Sequence, residues 1–271
     1  MKRALRVLAA GLLVCLIPVS TSSCGPCCAL PPEPVDPSAV ASLAAPVTGS
    51  DAQSIQTRPR GGNHYYNEVR GDSWIALVDC YEVFEAVFET RMPDTDSLTI
   101  GPARARSAAE SYVEEAGFVA SGDLARYRVS TEEVHQAGVA LIDVTFSPPD
   151  ATLTPFPGAT GAQEWWHDLE VLVNGSSGLV FALVDHANEC VSGIRAPVLG
   201  RGRAAALAQS AASRPGLVLV SAELQMDLSG GSQRSYWEIG LGSSGSPASA
   251  TGTVTVTVEV DANTGEAKVQ S

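Results

Sequence analysis

Apolar residues fall along this chain in three kinds of run. The first is one nearly unbroken stretch, residues 7–19, led by Lys2, Arg3 and Arg6 and followed by small polar residues up to Cys24. A basic start, a short apolar core and small residues at its end make a signal-peptide pattern. The run is shorter than the roughly 20 residues a helix needs to cross a bilayer, and no later segment is apolar for anything like that length.

The second kind repeats at helical spacing. From Leu77 onward, Val78, Tyr81, Phe84, Val87 and Phe88 fall on one side while Glu82, Glu85 and Glu89 take the other, which predicts an amphipathic helix over 77–89. Ala105, Ala108, Ala109, Tyr112, Val113 and Ala116 form a second stripe, with Gly117 as terminator. Ala204, Leu207, Ala208 and Ala211 form a third, stopped by Pro215-Gly216. Stripes this rich in alanine let a helix lie close upon a sheet.

The third kind alternates. Residues 127–129 and 139–146 read as strands after the second stripe, and 217–228 and 236–241 after the third. Each series ends on a strand, a five-residue turn closing in Gly and a returning strand. One is Leu169-Glu170-Val171-Leu172-Val173-Asn174 running through Gly178 to Val180. The other is Val256-Thr257-Val258-Glu259-Val260-Asp261 running through Gly265 to Ala267. The order helix, strands, hairpin therefore occurs twice, with a Pro/Gly/Thr-rich insertion at 147–164 in the first copy.

The second copy, with its Ala-rich helix, Tyr236-Trp237-Glu238-Ile239 and Val258-Glu259-Val260-Asp261-Ala262-Asn263-Thr264-Gly265-Glu266, resembles the PepSY domain family. The resemblance spans about residues 102–271 over both copies. It implies an α+β fold of tandem units, each one helix packed on a small antiparallel sheet. It also implies a binding or regulatory role linked to peptidases, with no catalytic residues to carry over. On this reading residues 1–23 are the signal peptide and 24–62 a flexible Pro/Ala/Ser-rich tether. Residues 63–101 form an N-terminal segment with the amphipathic helix, and 102–190 and 197–271 are the two repeats.

Charge narrows the partners. Lys+Arg 17 against Asp+Glu 30 gives a net charge of −13, and loss of the leader removes three more basic residues. Affinity for nucleic acid rests on Lys and Arg neutralising phosphates, so nucleic acid is excluded as a partner. The partner that the PepSY resemblance implies is an envelope or secreted protein, a peptidase being one such class.

Candidate chemistry is sparse. His64, His135, His167 and His186 lack metal-ligand spacing, and no G-x-S-x-G accompanies them. No catalytic residue, cofactor site or metal site is expected. His186, beside Asp185 and Glu189, could orient a base, although a solvated loop after a strand accounts for it better; an envelope-facing enzyme with an unrecognised site is the alternative function. Trp165 and Trp166 offer aromatic surface of the kind enriched at interfaces. Arg70-Gly71-Asp72 contains an adhesion tripeptide and Asp261 to Gly265 imitates the opening of a calcium loop, and turns account for both; Gly200 and Gly202 imitate a dinucleotide-binding turn, but no buried parallel strand precedes them and no βαβ unit follows.

Six cysteines complete the picture: Cys15 in the leader, Cys24, Cys27 and Cys28 just after it, and Cys80 and Cys190. Thr21-Ser22-Ser23-Cys24 resembles a bacterial lipobox, in which the cysteine is acylated with chains of the palmitate type. The chain is accordingly expected as a lipoprotein of the cell membrane or outer membrane, with its soluble part outside the cytoplasm. Thr21 stands where lipoboxes usually carry Leu, so cleavage near Ser23 without lipid is the alternative. Export favours oxidation of thiols, and Cys80 with Cys190 is the expected disulfide, two unpaired thiols being the alternative. Mass spectrometry of unreduced peptides should find Cys80 joined to Cys190; free thiols at both positions would refute the pairing.

Overall fold

The computed structural model describes residues 54–61, 64–78, 84–91, 94–116, 119, 122–148, 168–186, 195–228, 233–243 and 254–270. The expected lipidation site Cys24, the Cys80 and Cys190 pair, and Trp165 and Trp166 lie outside the described residues.

Four strands lead the fold: β1 (Ser54–Gly61), β2 (His64–Arg70), β3 (Trp74–Val78) and β4 (Phe84–Glu89). Helix α1 (Pro102–Glu115) follows, then β5 (Arg128–Gln136), β6 (Val139–Ser147), β7 (Leu169–Asn174) and β8 (Val180–Asp185). Helix α2 (Arg201–Ala212) precedes β9 (Leu217–Asp227), β10 (Arg234–Ser243), β11 (Val256–Asp261) and β12 (Ala267–Val269). The strands form an eight-stranded sheet, ordered β1-β2-β3-β4-β8-β7-β6-β5, and a four-stranded sheet, ordered β12-β11-β10-β9. All neighbouring strands are antiparallel.

This corrects the expected fold class of tandem helix-on-small-sheet units. The described chain is mostly β, and the strands after α1 make only half of a sheet that β1 to β4 complete. The join is β4 against β8, with Ala86 opposite Val184, Val87 opposite Leu183 and Phe88 opposite Ala182.

The amphipathic helix expected over 77–89 is likewise corrected, because β3 and β4 occupy its ends. Trp74, Ile75, Ala76, Leu77 and Val78 are all buried, with sides alternating strictly. Trp74, Ala76 and Val78 join the core beneath α1, while Ile75 and Leu77 join the core on the opposite face. A strand covered on both faces needs apolar residues at every position, which hides the period of two.

Two cores result. Ala105, Ala109, Tyr112 and Val113 of α1 pack on Ile142, Val144, Phe146, Val171 and Leu183 of the long sheet. The second core joins the long sheet's other face (Tyr66, Leu77, Phe88, Leu141) to Ala204 and Ala208 of α2. The inner face of the short sheet, including Met226, Trp237, Ile239 and Val258, completes it. In β11 the alternation is plain, with Val256, Val258 and Val260 inside. Side chains of β2 also reach the edge strand β9: the Tyr66 hydroxyl donates to Met226 O at 3.3 Å and Arg70 donates to Leu224 O at 2.8 Å.

The two hairpins match bond for bond. Asn174 Oδ1 accepts from the N–H groups of Ser176 and Ser177, and Asp261 Oδ1 accepts from those of Asn263 and Thr264. Gly178 and Gly265 close the turns at φ of 77° and 78°, a region in which a Cβ is costly. The second turn residue is in each case an anchor for the chain entering a helix. Gly175 O accepts from Thr99 and Ile100 N–H, and Ala262 O accepts from Val198 and Leu199 N–H.

Neither helix caps itself with its own N-cap side chain. For α2 the missing acceptor comes from far away, since Asp94 Oδ1 accepts from Gly200 N–H at 2.6 Å and Oδ2 accepts from Arg203 N–H at 2.8 Å. A carboxylate at a helix N-terminus satisfies free donors and complements the helix dipole. Asp94→Ala should therefore lower stability by about 1 kcal/mol, read as a shift of the denaturant midpoint at unchanged slope.

Candidate functional site

On β6, Ile142, Val144 and Phe146 point towards α1, so the intervening Asp143 and Thr145 take the opposite face. Register then decides their neighbours. Glu132 of β5 stands directly across from Asp143, and Thr145 stands across from Glu170 of β7, which leaves Glu170 diagonal to Asp143. His186 follows the last residue of β8, and its backbone N–H donates to Asp168 O at 2.9 Å. Its ring Nε2 lies 3.1 Å from Glu170 Oε2. The Thr145 hydroxyl donates to Asp143 Oδ1 at 3.4 Å.

Four neighbouring strands, β5 to β8, thus bring Glu132, Asp143, Glu170 and His186 together, with Asp168 and the buried Asp185 alongside. Burial pushes the Asp143 carboxyl up to about 6, and the carboxylates of Glu170 and Glu132 add to the rise. The Thr145 hydrogen bond and the His186 ring oppose it. The His186 imidazole is held above its ordinary value, chiefly by the hydrogen bond to Glu170 and against the effect of burial. A carboxyl and an imidazole so tuned exchange protons near neutral pH. Among the described residues no group of three or more His, Cys, Asp or Glu side chains is arranged to hold a metal ion.

Sequence reasoning singled out His186 beside Asp185 and Glu189. The structure supplies a different partner, Glu170, brought close by the β7–β8 pairing, while Glu189 lies outside the described residues. Asp143 was missed, although a lone carboxylate inside Val-Ala-Leu-Ile-Asp-Val-Thr-Phe is a signal in itself.

The imitating motifs are occupied by structural bonds. Arg70 pairs with Glu68 at 2.6 Å, and Asp72 pairs with Arg91 at 2.7 Å. At Gly200 the Asp94 carboxylate fills the helix N-terminus where a phosphate would sit. Asp261 is the acceptor of its own hairpin turn.

Within the second core, between the long and the short sheet, lies a cavity of about 20 Å3, lined by Glu89, Asp94, Asn174, Phe181, Leu199 and Trp237 among others. It has room for about one water molecule. The Trp237 indole N–H donates to Leu199 O at 2.8 Å at its wall.

No protein-family model matches the chain, and no curated protein does. Among solved structures, the Bacillus megaterium YpeB C-terminal domain matches with a TM-score of 0.35 and 12% identity, over 86% of this chain and 94% of that one. A TM-score of that size carries no assignment of fold or function.

Asp143 yields a prediction with a definite sign. Its folded value lies above the ordinary 3.8, so ionisation is penalised above about pH 6 and the penalty fades as pH falls from there towards 3.8. Asp143→Asn removes it. The variant should gain on the order of 1 kcal/mol over wild type at pH 8, after discounting for partial exposure, and no advantage at pH 4, both read from denaturant unfolding.

Proposed function

We propose that this chain is an exported, lipid-anchored protein that binds and regulates another envelope or secreted protein, a peptidase being the partner class that the PepSY resemblance implies. The observation carrying this reading is where the chemistry lies. The cavity within the second core holds about one water molecule, whereas Glu170 and His186 stand near the end of the eight-stranded sheet, with the half-buried Asp143 beside them on β6. A small substrate needs a concave site of several hundred Å3; a polar sheet end suits a protein-sized partner.

The leader pattern, Cys24 and the Pro-rich stretch behind it support the tethered placement, with the acyl chains as the membrane attachment. No helix among the described residues is long and apolar enough to cross a membrane. The net charge of −13 favours partners with basic surfaces.

The test is addition of the purified processed chain to the secreted and envelope peptidases of its own cells, paired with cross-linking in intact cells. One peptidase activity should change at near-equimolar ratios, and that peptidase should be the protein cross-linked. If no peptidase responds and no protein is cross-linked, the reading is wrong; hydrolase-directed labelling of the chain itself would favour the envelope-facing enzyme.

A further inference from the structure

We infer that Asp143, Glu170 and His186 form a proton-operated lock, which tightens the end of the eight-stranded sheet where β6, β7 and β8 run out when the surroundings turn mildly acid. The geometry comes first. His186 follows β8 and Asp168 precedes β7, and the backbone bond between them is, among the described residues, the outermost bond joining this pair of strands. The ring of His186 then reaches back to Glu170, one turn of the pleat inside the sheet, so the same residue closes the strand pair twice. Asp143 lies diagonally beside Glu170 on the next strand.

The charges facing these groups are of one sign. Asp143 meets Glu132 from β5 and Glu170 from β7, and His186 is the one cation among the groups that shift it. His186 meets Glu170 from β7, Asp168 just before that strand and Asp185 from β8. In alkaline surroundings the Asp143 carboxyl is ionised and the ring is neutral, so like charges crowd the closing bonds. On acidification the cluster takes up two protons, one on the Asp143 carboxyl and one on the ring. Asp143 then stops repelling Glu170 and becomes a donor. The His186–Glu170 contact becomes a charge-assisted hydrogen bond, roughly twice as strong as a neutral one.

Both titrations act in the same direction. The His186 contribution is present below the ring's ordinary value and is lost as pH rises through its raised folded value. The Asp143 penalty is present above about pH 6 and is relieved below it. Local opening of the strand ends, which sets amide exchange there, is therefore suppressed in acid and promoted in base.

The full chain, as wild type and as His186→Gln and Glu170→Gln, is followed by amide exchange and by NMR titration of the His186 ring between pH 8 and pH 5. After correction for intrinsic rates, amides 184–186 should be about tenfold better protected at pH 5 than at pH 8, while amides 258–260 of the short sheet stay level. His186→Gln should reduce the difference to the smaller part that Asp143 contributes. Glu170→Gln should lower the ring's proton affinity by about tenfold, a readout that remains if His186→Gln fails to fold. Equal protection of 184–186 at both pH values, or a ring midpoint unmoved by Glu170→Gln, overturns the lock.

Discussion

Everything else in this fold depends on three residue pairs between β4 and β8. They weld a four-strand meander to four strands that follow a helix, and they place β3, β4, β7 and β8 in the middle of a sheet covered on both faces. Backbone groups in such a position have no access to water and must pair with neighbouring strands. The weld thus determines which residues must be apolar on both sides, where α1 lies and which face is free to meet the short sheet. Antiparallel pairing without a crossover also leaves each strand end next to the start of another, which is how β6, β7 and β8 come to share one polar end.

Much of the local structure was legible in the sequence because it rests on short-range chemistry. Two alanine stripes gave two helices, since only small residues permit close approach to a sheet. Two hairpins followed from paired strands around a five-residue turn closing in Gly, and the side-chain oxygens of Asn174 and Asp261 accept matching backbone bonds in both. What failed was long-range. Residues 77–89 read as a helix because burial on both faces erased the alternation that marks a strand. Most of β5, Ser-Thr-Glu-Glu-Val-His-Gln at 130–136, escaped notice because an exposed edge strand carries charge in place of a pattern. The merger of the first copy with β1 to β4 left no trace in composition at all.

The candidate site shows the same division. His186 drew attention by residue type, but its neighbour in sequence, Asp185, is not its ring's partner. Register across β7 and β8 supplies Glu170, and register across β6 and β7 supplies Asp143. Pairings of this kind depend on which residues face each other across strands, a property no single segment encodes. Asp143 carried a signal nonetheless, because a carboxylate at an otherwise apolar strand position has to be matched by something in three dimensions.

The anchoring of each helix entry to a hairpin turn imposes an order in time. The peptide groups of Thr99 and Ile100 are bonded to Gly175, and those of Val198 and Leu199 to Ala262. As the chain emerges from the ribosome or a translocation pore, N-terminus first, α1 is complete long before the turn that fixes its entry exists. Loop closure over such separations is slow compared with helix formation. Each helix therefore spends that interval tethered only through its own sequence neighbours, and its docking on the sheet is timed by synthesis of a hairpin far downstream.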